Sequence, residues 1–164
     1  ANELPVRKKE YFDGAYPSGN SIAVLNLIKI SRLTGKKNYE DIAFDTMDSC
    51  GGLIENTPAG FTQLLLAYLF VEENPVEVVI VGDLKSGEID PYIDFFQNNF
   101  IPNVTVLVKD TDDSDSLSKI ASFTADMKKV DNRPTVYLCR DGSCQSPIQS
   151  IDVFLAQFNN GKNV

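Results

Sequence analysis

Three clusters in this 164-residue chain have the residue types and spacing to do chemistry. The first is Asp13-Gly14-Ala15-Tyr16-Pro17-Ser18-Gly19-Asn20-Ser21, which gathers a carboxylate, an aromatic ring, an amide and hydroxyls ahead of an apolar segment. Asp13, Tyr16, Ser18 and Asn20 could hydrogen-bond sugar hydroxyls while the ring stacks on the sugar face, with Asp13 available for acid/base work. The same residues also make a turn and a helix N-cap without any ligand, and that plainer reading is preferred. The second cluster is the turn Gly82-Asp83-Leu84-Lys85-Ser86-Gly87-Glu88 at the end of an apolar run. It has neither the glycine spacing of a dinucleotide fingerprint nor the Gly-Lys-Ser/Thr ending of a phosphate loop, and its two carboxylates would repel phosphate.

The third cluster is Cys139-Arg140-Asp141-Gly142-Ser143-Cys144. With Asp141-Gly142 as a two-residue hairpin turn, Arg140 and Ser143 close it as a hydrogen-bonded pair. Cys139 and Cys144 then face each other at the next, non-hydrogen-bonded position, with Cα atoms about 4.5 Å apart. That spacing permits a reducible cross-strand disulfide and hence a redox-active pair. The alternative, two thiols packed at a sheet edge in a reducing cytosol, is preferred. Cys50, on an apolar helical face, reads as core.

Composition removes much else. With no histidine there is no Ser-His or Cys-His dyad and no histidine-ligated metal, and three cysteines fall short of an all-thiolate zinc site. No metal and no cofactor are expected. A formal net charge of −8 argues against nucleic acid as a partner. The longest apolar stretch, Phe61 to Val71, is too short for a membrane span. The start, Ala1 to Lys9, lacks the apolar core of a signal peptide, so a cytoplasmic location is expected.

The elements that position these clusters fall into two regimes. From Ser18 to Val71 the period is helical. One helix is capped by Ser18 or Asn20 and stopped at Gly35, a second runs from Asn38 to Gly51-Gly52, and a third opens at Thr57-Pro58 and runs to about Glu72. Short turns between them read as antiparallel helical hairpins. In the third helix Phe61, Leu64, Leu65, Leu66, Tyr68, Leu69, Phe70 and Val71 place apolar groups nearly all round, more than three helices can shelter. From Pro75 the pattern changes to Glu77–Asp83, Val104–Val108 and Thr135–Cys139 as strands, with helices from Asp90, around Leu117–Met127 and from Ile151 to Phe158. The expected fold class is therefore α/β: N-terminal helical hairpins over residues 1–74, then a small, mainly parallel three- to four-stranded sheet flanked by helices over 75–164.

The Asp13–Ser21 run and its helix, Phe61-Thr62-Gln63, the strand Val78–Asp83, Phe100-Ile101-Pro102-Asn103, and Pro134–Cys139 followed by Cys144-Gln145-Ser146-Pro147 occur in one order. Together they resemble the C-terminal part of the thioredoxin-domain-containing family that includes spermatogenesis-associated protein 20, over about Asp13 to Phe158. The resemblance implies a longer parent with a thioredoxin-like domain, an α/α barrel similar to six-hairpin glycosidases, and a terminal α/β unit. The helical half would then be a partial α/α barrel. The family's thioredoxin motif is not among these residues, so the resemblance carries no redox activity to them.

Two functions follow as expectations. One is a non-catalytic structural and interaction module whose partner is the remainder of a parent chain or a second copy, joined through the helical half. The other is a fragment of a carbohydrate-active enzyme in which Asp13, Tyr16, Ser18 and Asn20 touch a sugar, although the paired carboxylates of glycosidase chemistry are not identifiable.

Overall fold

The protein is described by a computed structural model covering residues 9–140 and 142–160. The chain start up to Lys8 and Asp141 of the expected hairpin turn lie outside the described residues. Two compact units result, one taking the chain up to Ser31 and from Lys36 to Glu72, the other taking Arg32–Gly35 and everything from Glu73.

The helical unit contains α1 (Gly19–Thr34) as far as Ser31, with α2 (Asn38–Asp48), α3 (Gly51–Asn56) and α4 (Thr62–Glu72). Its core is built from Val24 and Ile28 of α1, Ala43 and Met47 of α2, and Leu64 and Phe70 of α4. Two boundaries differ from expectation. Gly51-Gly52 opens the short helix α3 and does not end the helical segment. Thr57-Pro58 starts only a 3₁₀ turn, Pro58–Gly60, and α4 begins four residues later than expected, at Thr62. The cause is tertiary. The Gly60 carbonyl accepts a hydrogen bond from the Asp13 amide at 2.7 Å, which takes it out of any continuing helical ladder. The Phe12 ring lies where a Gly60 side chain would stand, its Cε2 only 2.1 Å from an ideal Cβ, so glycine at this position lets the ring pack directly over the turn.

Helix α4 buries one stripe: Leu64, Ala67 and Phe70, with Phe61 just before it. Leu66 and Leu69, spaced to share the opposite face, are 51% and 54% exposed. The unit's own neighbours therefore shelter one side of its most apolar helix.

The second unit is a four-stranded sheet in the order β2-β1-β3-β4, with β1 Val76–Gly82, β2 Val104–Asp110, β3 Thr135–Arg140 and β4 Ser143–Cys144. All seven residues of β1 are buried, as a continuous apolar run bounded by turns requires of a central strand. Its alternation feeds two cores. Val76, Val78 and Ile80 pack with Tyr92 of α5 (Asp90–Asn98) and Phe154 of α7 (Ile151–Asn160), while Val79 and Val81 face Met127 and Cys139. Glu77, on the second face, is bonded at 3.5 Å by Arg32. Phe100 falls beyond the end of α5 and is 92% exposed.

The sheet is not mainly parallel. Strands β1 and β2 pair in parallel, but β1–β3 and β3–β4 are both antiparallel. The expected helix over Leu117–Met127 is instead α6 (Ser114–Ile120), only seven residues long, followed by a 3₁₀ turn at Ser122–Thr124. At 1.5 Å per residue α6 spans about 10 Å, too little to carry the chain back along the sheet. The ammonium of Lys109, near the carboxyl end of β2, also bonds the carbonyls of Thr124, Ala125 and Met127. The connection stays at that end, so β3 enters there, with Thr135 opposite Val81, and runs the other way.

Candidate functional site

Each polar group of the Asp13–Ser21 loop has its place in the helical unit. Asp13 is buried; its Oδ1 accepts the Ser18 amide at 2.7 Å and its Oδ2 accepts the Gln63 amide at 2.9 Å. Burial pushes the Asp13 carboxyl up. The hydrogen bonds from Ser18, Ser21, Gln63 and Leu64 outweigh it, and the group stays below the ordinary carboxylate range. Ser18 is the N-cap of α1: its Oγ accepts the Ser21 amide at 3.1 Å and its carbonyl accepts the Ile22 amide. The two hydroxyls of Ser18 and Ser21 lie 2.8 Å apart. Asn20 donates its side-chain amide to the Glu10 carbonyl at 2.6 Å. Tyr16, 85% exposed, is the member that faces outward. The loop thus brings Asp13 and Ser18 together and turns their donors and acceptors inward, onto helix starts. What it does chemically is place one carboxylate at the N-termini of two helices, where the exposed amides and the helix dipole both favour negative charge.

The turn after β1 is also bonded to itself. Glu88 accepts the Asp83 amide at 2.8 Å and pairs with Lys129 through both oxygens, at 2.7 and 3.0 Å. The Lys129 ammonium, followed by the Asp83 amide, holds the Glu88 carboxyl below its ordinary range. Asp83 accepts the Lys85 amide at 2.7 Å, and Lys85 reaches Asp112 at 2.8 Å. Among the described residues no group of three or more Cys, Asp or Glu side chains is placed to hold a metal ion.

Cys139 and Cys144 stand directly opposite each other in the β3–β4 pair, with Arg140 facing Ser143. The Gln145 amide bonds the Leu138 carbonyl at 2.9 Å, which makes the cysteine pair the non-hydrogen-bonded position that the turn arithmetic requires. Gly142 carries the positive φ of a tight turn, +76°. The Cα atoms are 3.9 Å apart, and the sulfurs form a disulfide where two packed thiols were preferred from the sequence. The preference rested on compartment alone, whereas the register decides what the side chains meet. Cys139 is buried beside Val79, Val81 and Met127; Cys144 is exposed. Cys50 is a buried free thiol, donating to the Met47 carbonyl at 3.1 Å, and burial pushes its pKa up.

One polar device escaped the sequence reading. Lys109 is almost fully buried, with its ammonium 2.6, 3.1 and 3.0 Å from the carbonyls of Thr124, Ala125 and Met127. Burial pushes its pKa down. The available signal was the inward alternation of Thr105, Leu107 and Lys109 in a strand, which puts the lysine on an apolar face, where it must find acceptors.

No helix among the described residues is long and apolar enough to cross a membrane. No family model matches the chain, and no solved structure matches it. Spermatogenesis-associated protein 20 of Rattus norvegicus is 28% identical over 146 residues, covering 89% of this chain and 18% of the relative. The human protein of that name is 26% identical over 88% of this chain and 18% of its own length. An uncharacterized protein of Caenorhabditis elegans is 24% identical over 96% of this chain and 21% of its own. The chain therefore spans about a fifth of the length of the curated relatives it matches. Its relatives are the spermatogenesis-associated protein 20 proteins, and the match is consistent with the C-terminal part of that family, as the ordered motifs implied.

Proposed function

We propose that this chain is a structural and interaction module without a reaction of its own, the terminal part of a longer protein of the spermatogenesis-associated protein 20 kind. Its outer α4 face docks against helices supplied by the remainder of that longer chain. The observation that carries this reading is the half-exposed pair Leu66 and Leu69 on the outer side of α4, in the most apolar segment of the sequence. Covering each leucine is worth about 1–2 kcal/mol, which favours a cover wherever one is supplied. Ile42 and Leu53, also more than half exposed, add apolar surface to the same unit. The length of the relatives supports a cover from the same polypeptide; a cytoplasmic location is part of the same proposal.

The carbohydrate alternative finds less support in this geometry, because both carboxylate oxygens of Asp13, the Ser18 hydroxyl and the Asn20 side-chain nitrogen are engaged by the chain itself. The test is sedimentation of the chain alone and with Leu66→Glu and Leu69→Glu together. The unmodified chain should self-associate as concentration rises, and the double variant should sediment as a folded monomer. A clean monomer in a concentrated sample of the unmodified chain would overturn the reading. A melting temperature raised by saturating sugar would favour the alternative.

A further inference from the structure

We propose that Cys139 and Cys144 form a reversible dithiol/disulfide couple, a thiol-exchange site that fastens and releases the edge strand Ser143–Cys144. Three observations lead there. The first is register: the cysteines face each other at a non-hydrogen-bonded position, so neither redox state requires the strands to slide or re-pair. The hydrogen bond from the Gln145 amide to the Leu138 carbonyl at 2.9 Å, and the two between Val136 and Ile148 at 2.8 and 2.9 Å, tie the returning chain to β3 independently of the sulfurs. Opening the disulfide therefore frees only the residues beyond those bonds.

The second observation is asymmetry. Cys144 lies exposed on a two-residue strand at the edge of the sheet, within reach of an attacking thiolate. Cys139 is buried among Val79, Val81 and Met127, shielded from attack. The third is the remaining cysteine. Cys50 is buried in the helical unit, so it does not compete for the same partner and serves as an internal control.

The exchange balances as follows. A thiolate of a dithiol reductant attacks the Cys144 sulfur and forms a mixed disulfide, and the Cys139 sulfur leaves and takes up a proton. The reductant's second thiol, as its thiolate, then attacks its own sulfur in the mixed disulfide, closing a ring and releasing Cys144, which is protonated in turn. Two electrons and two protons pass to the protein, and the dithiol becomes a disulfide. The reverse direction takes a disulfide of the glutathione class as oxidant and returns it as two thiols. In a reducing compartment the couple rests as dithiols and closes when that oxidant accumulates, the usual behaviour of a disulfide formed there.

The test uses the full chain equilibrated in mixtures of reduced and oxidised glutathione, with thiols trapped by alkylation and assigned by peptide mass spectrometry. Cys139 and Cys144 should lose and regain reactivity together in one two-electron transition while Cys50 stays unreactive in the folded protein. Hydrogen exchange should quicken by about tenfold or more at Arg140 and Ser143, the hydrogen-bonded pair beyond the cysteines, on reduction, and remain unchanged at Val136 and Ile148. A Cys139→Ser/Cys144→Ser variant, with its fold checked by circular dichroism, should show the exchange pattern of the reduced protein. Two free thiols that persist in excess oxidised glutathione overturn the proposal. So does a disulfide that resists excess dithiothreitol until the chain unfolds, which would make it a fixed staple.

Discussion

The carboxylate of Asp13 accepts the backbone amide of Gln63 at 2.9 Å, across fifty positions of sequence, while its other oxygen holds Ser18 at 2.7 Å. A residue with the credentials of a catalytic acid is thereby a double helix cap. Replacing it by alanine leaves two amides without their acceptor, at about 1–2 kcal/mol each. Asp13→Ala should lower the unfolding free energy by about 3 kcal/mol, and Asp13→Asn, which keeps one acceptor but loses the charge, by about half as much. Tyr16→Ala, at an exposed ring, should stay within about 0.5 kcal/mol of the parent. Urea unfolding of the three variants checks the order.

The same group sets an acid limit. The folded-state pKa of Asp13 lies below its ordinary value of 3.8, so the unfolded chain takes up this proton first as pH falls. Its contribution is fully present above the unfolded value and is lost as pH drops through the folded one. The stability difference between the parent and Asp13→Asn should therefore be constant near neutrality and shrink below about pH 4. Chemical unfolding at a series of acidic pH values measures it, and a difference that grows on acidification would contradict the assignment.

Lys109 makes a separate prediction for the sheet unit. Three carbonyls, of Thr124, Ala125 and Met127, share its ammonium, and they hold the connection that delivers β3 to the carboxyl end of β1. Lys109→Met keeps the apolar stem and removes the charge-assisted bonds, at a cost of about 3 kcal/mol. Limited proteolysis should then cut first between residues 121 and 134, a stretch further tied by Tyr137 to Lys128 and by Thr135 to Val130. Cleavage that begins elsewhere would show that this lysine does not hold the connection.

What could be read from the residues follows how local the determining contact is. The buried run Val78–Val81 announces a central strand, and Asp141-Gly142 announces the register that pairs Cys139 with Cys144, because both signals lie within a few residues. The direction of β3 does not announce itself, since it depends on a lysine in one strand finding carbonyls fifteen residues on. The late start of α4 was equally hidden: Thr57-Pro58 is a sound local start signal, overridden by the Asp13 amide on the Gly60 carbonyl. The surplus of apolar residues in α4 was legible, but which of them would be left outside was not. That depends on how its neighbours pack, and Leu66 and Leu69 are the ones they leave.

Two glycines separate a rigid contact from a yielding one. An ideal Cβ on Gly82 would stand 2.3 Å from Cγ2 of Ile89, a fully buried side chain beneath the end of β1. One on Gly60 would stand even closer, 2.1 Å, to the ring of Phe12, but that ring is more than half exposed and has solvent to swing into. Distance alone would rank Gly60→Ala as the worse substitution; the freedom of the neighbour reverses the order. Gly82→Ala should cost about 2–3 kcal/mol through overpacking, and Gly60→Ala about 1 kcal/mol, mainly the lost Phe12–Phe61 edge contact. Thermal unfolding of both variants decides, and a Phe12→Ala background should relieve most of the Gly60→Ala cost while leaving that of Gly82→Ala untouched.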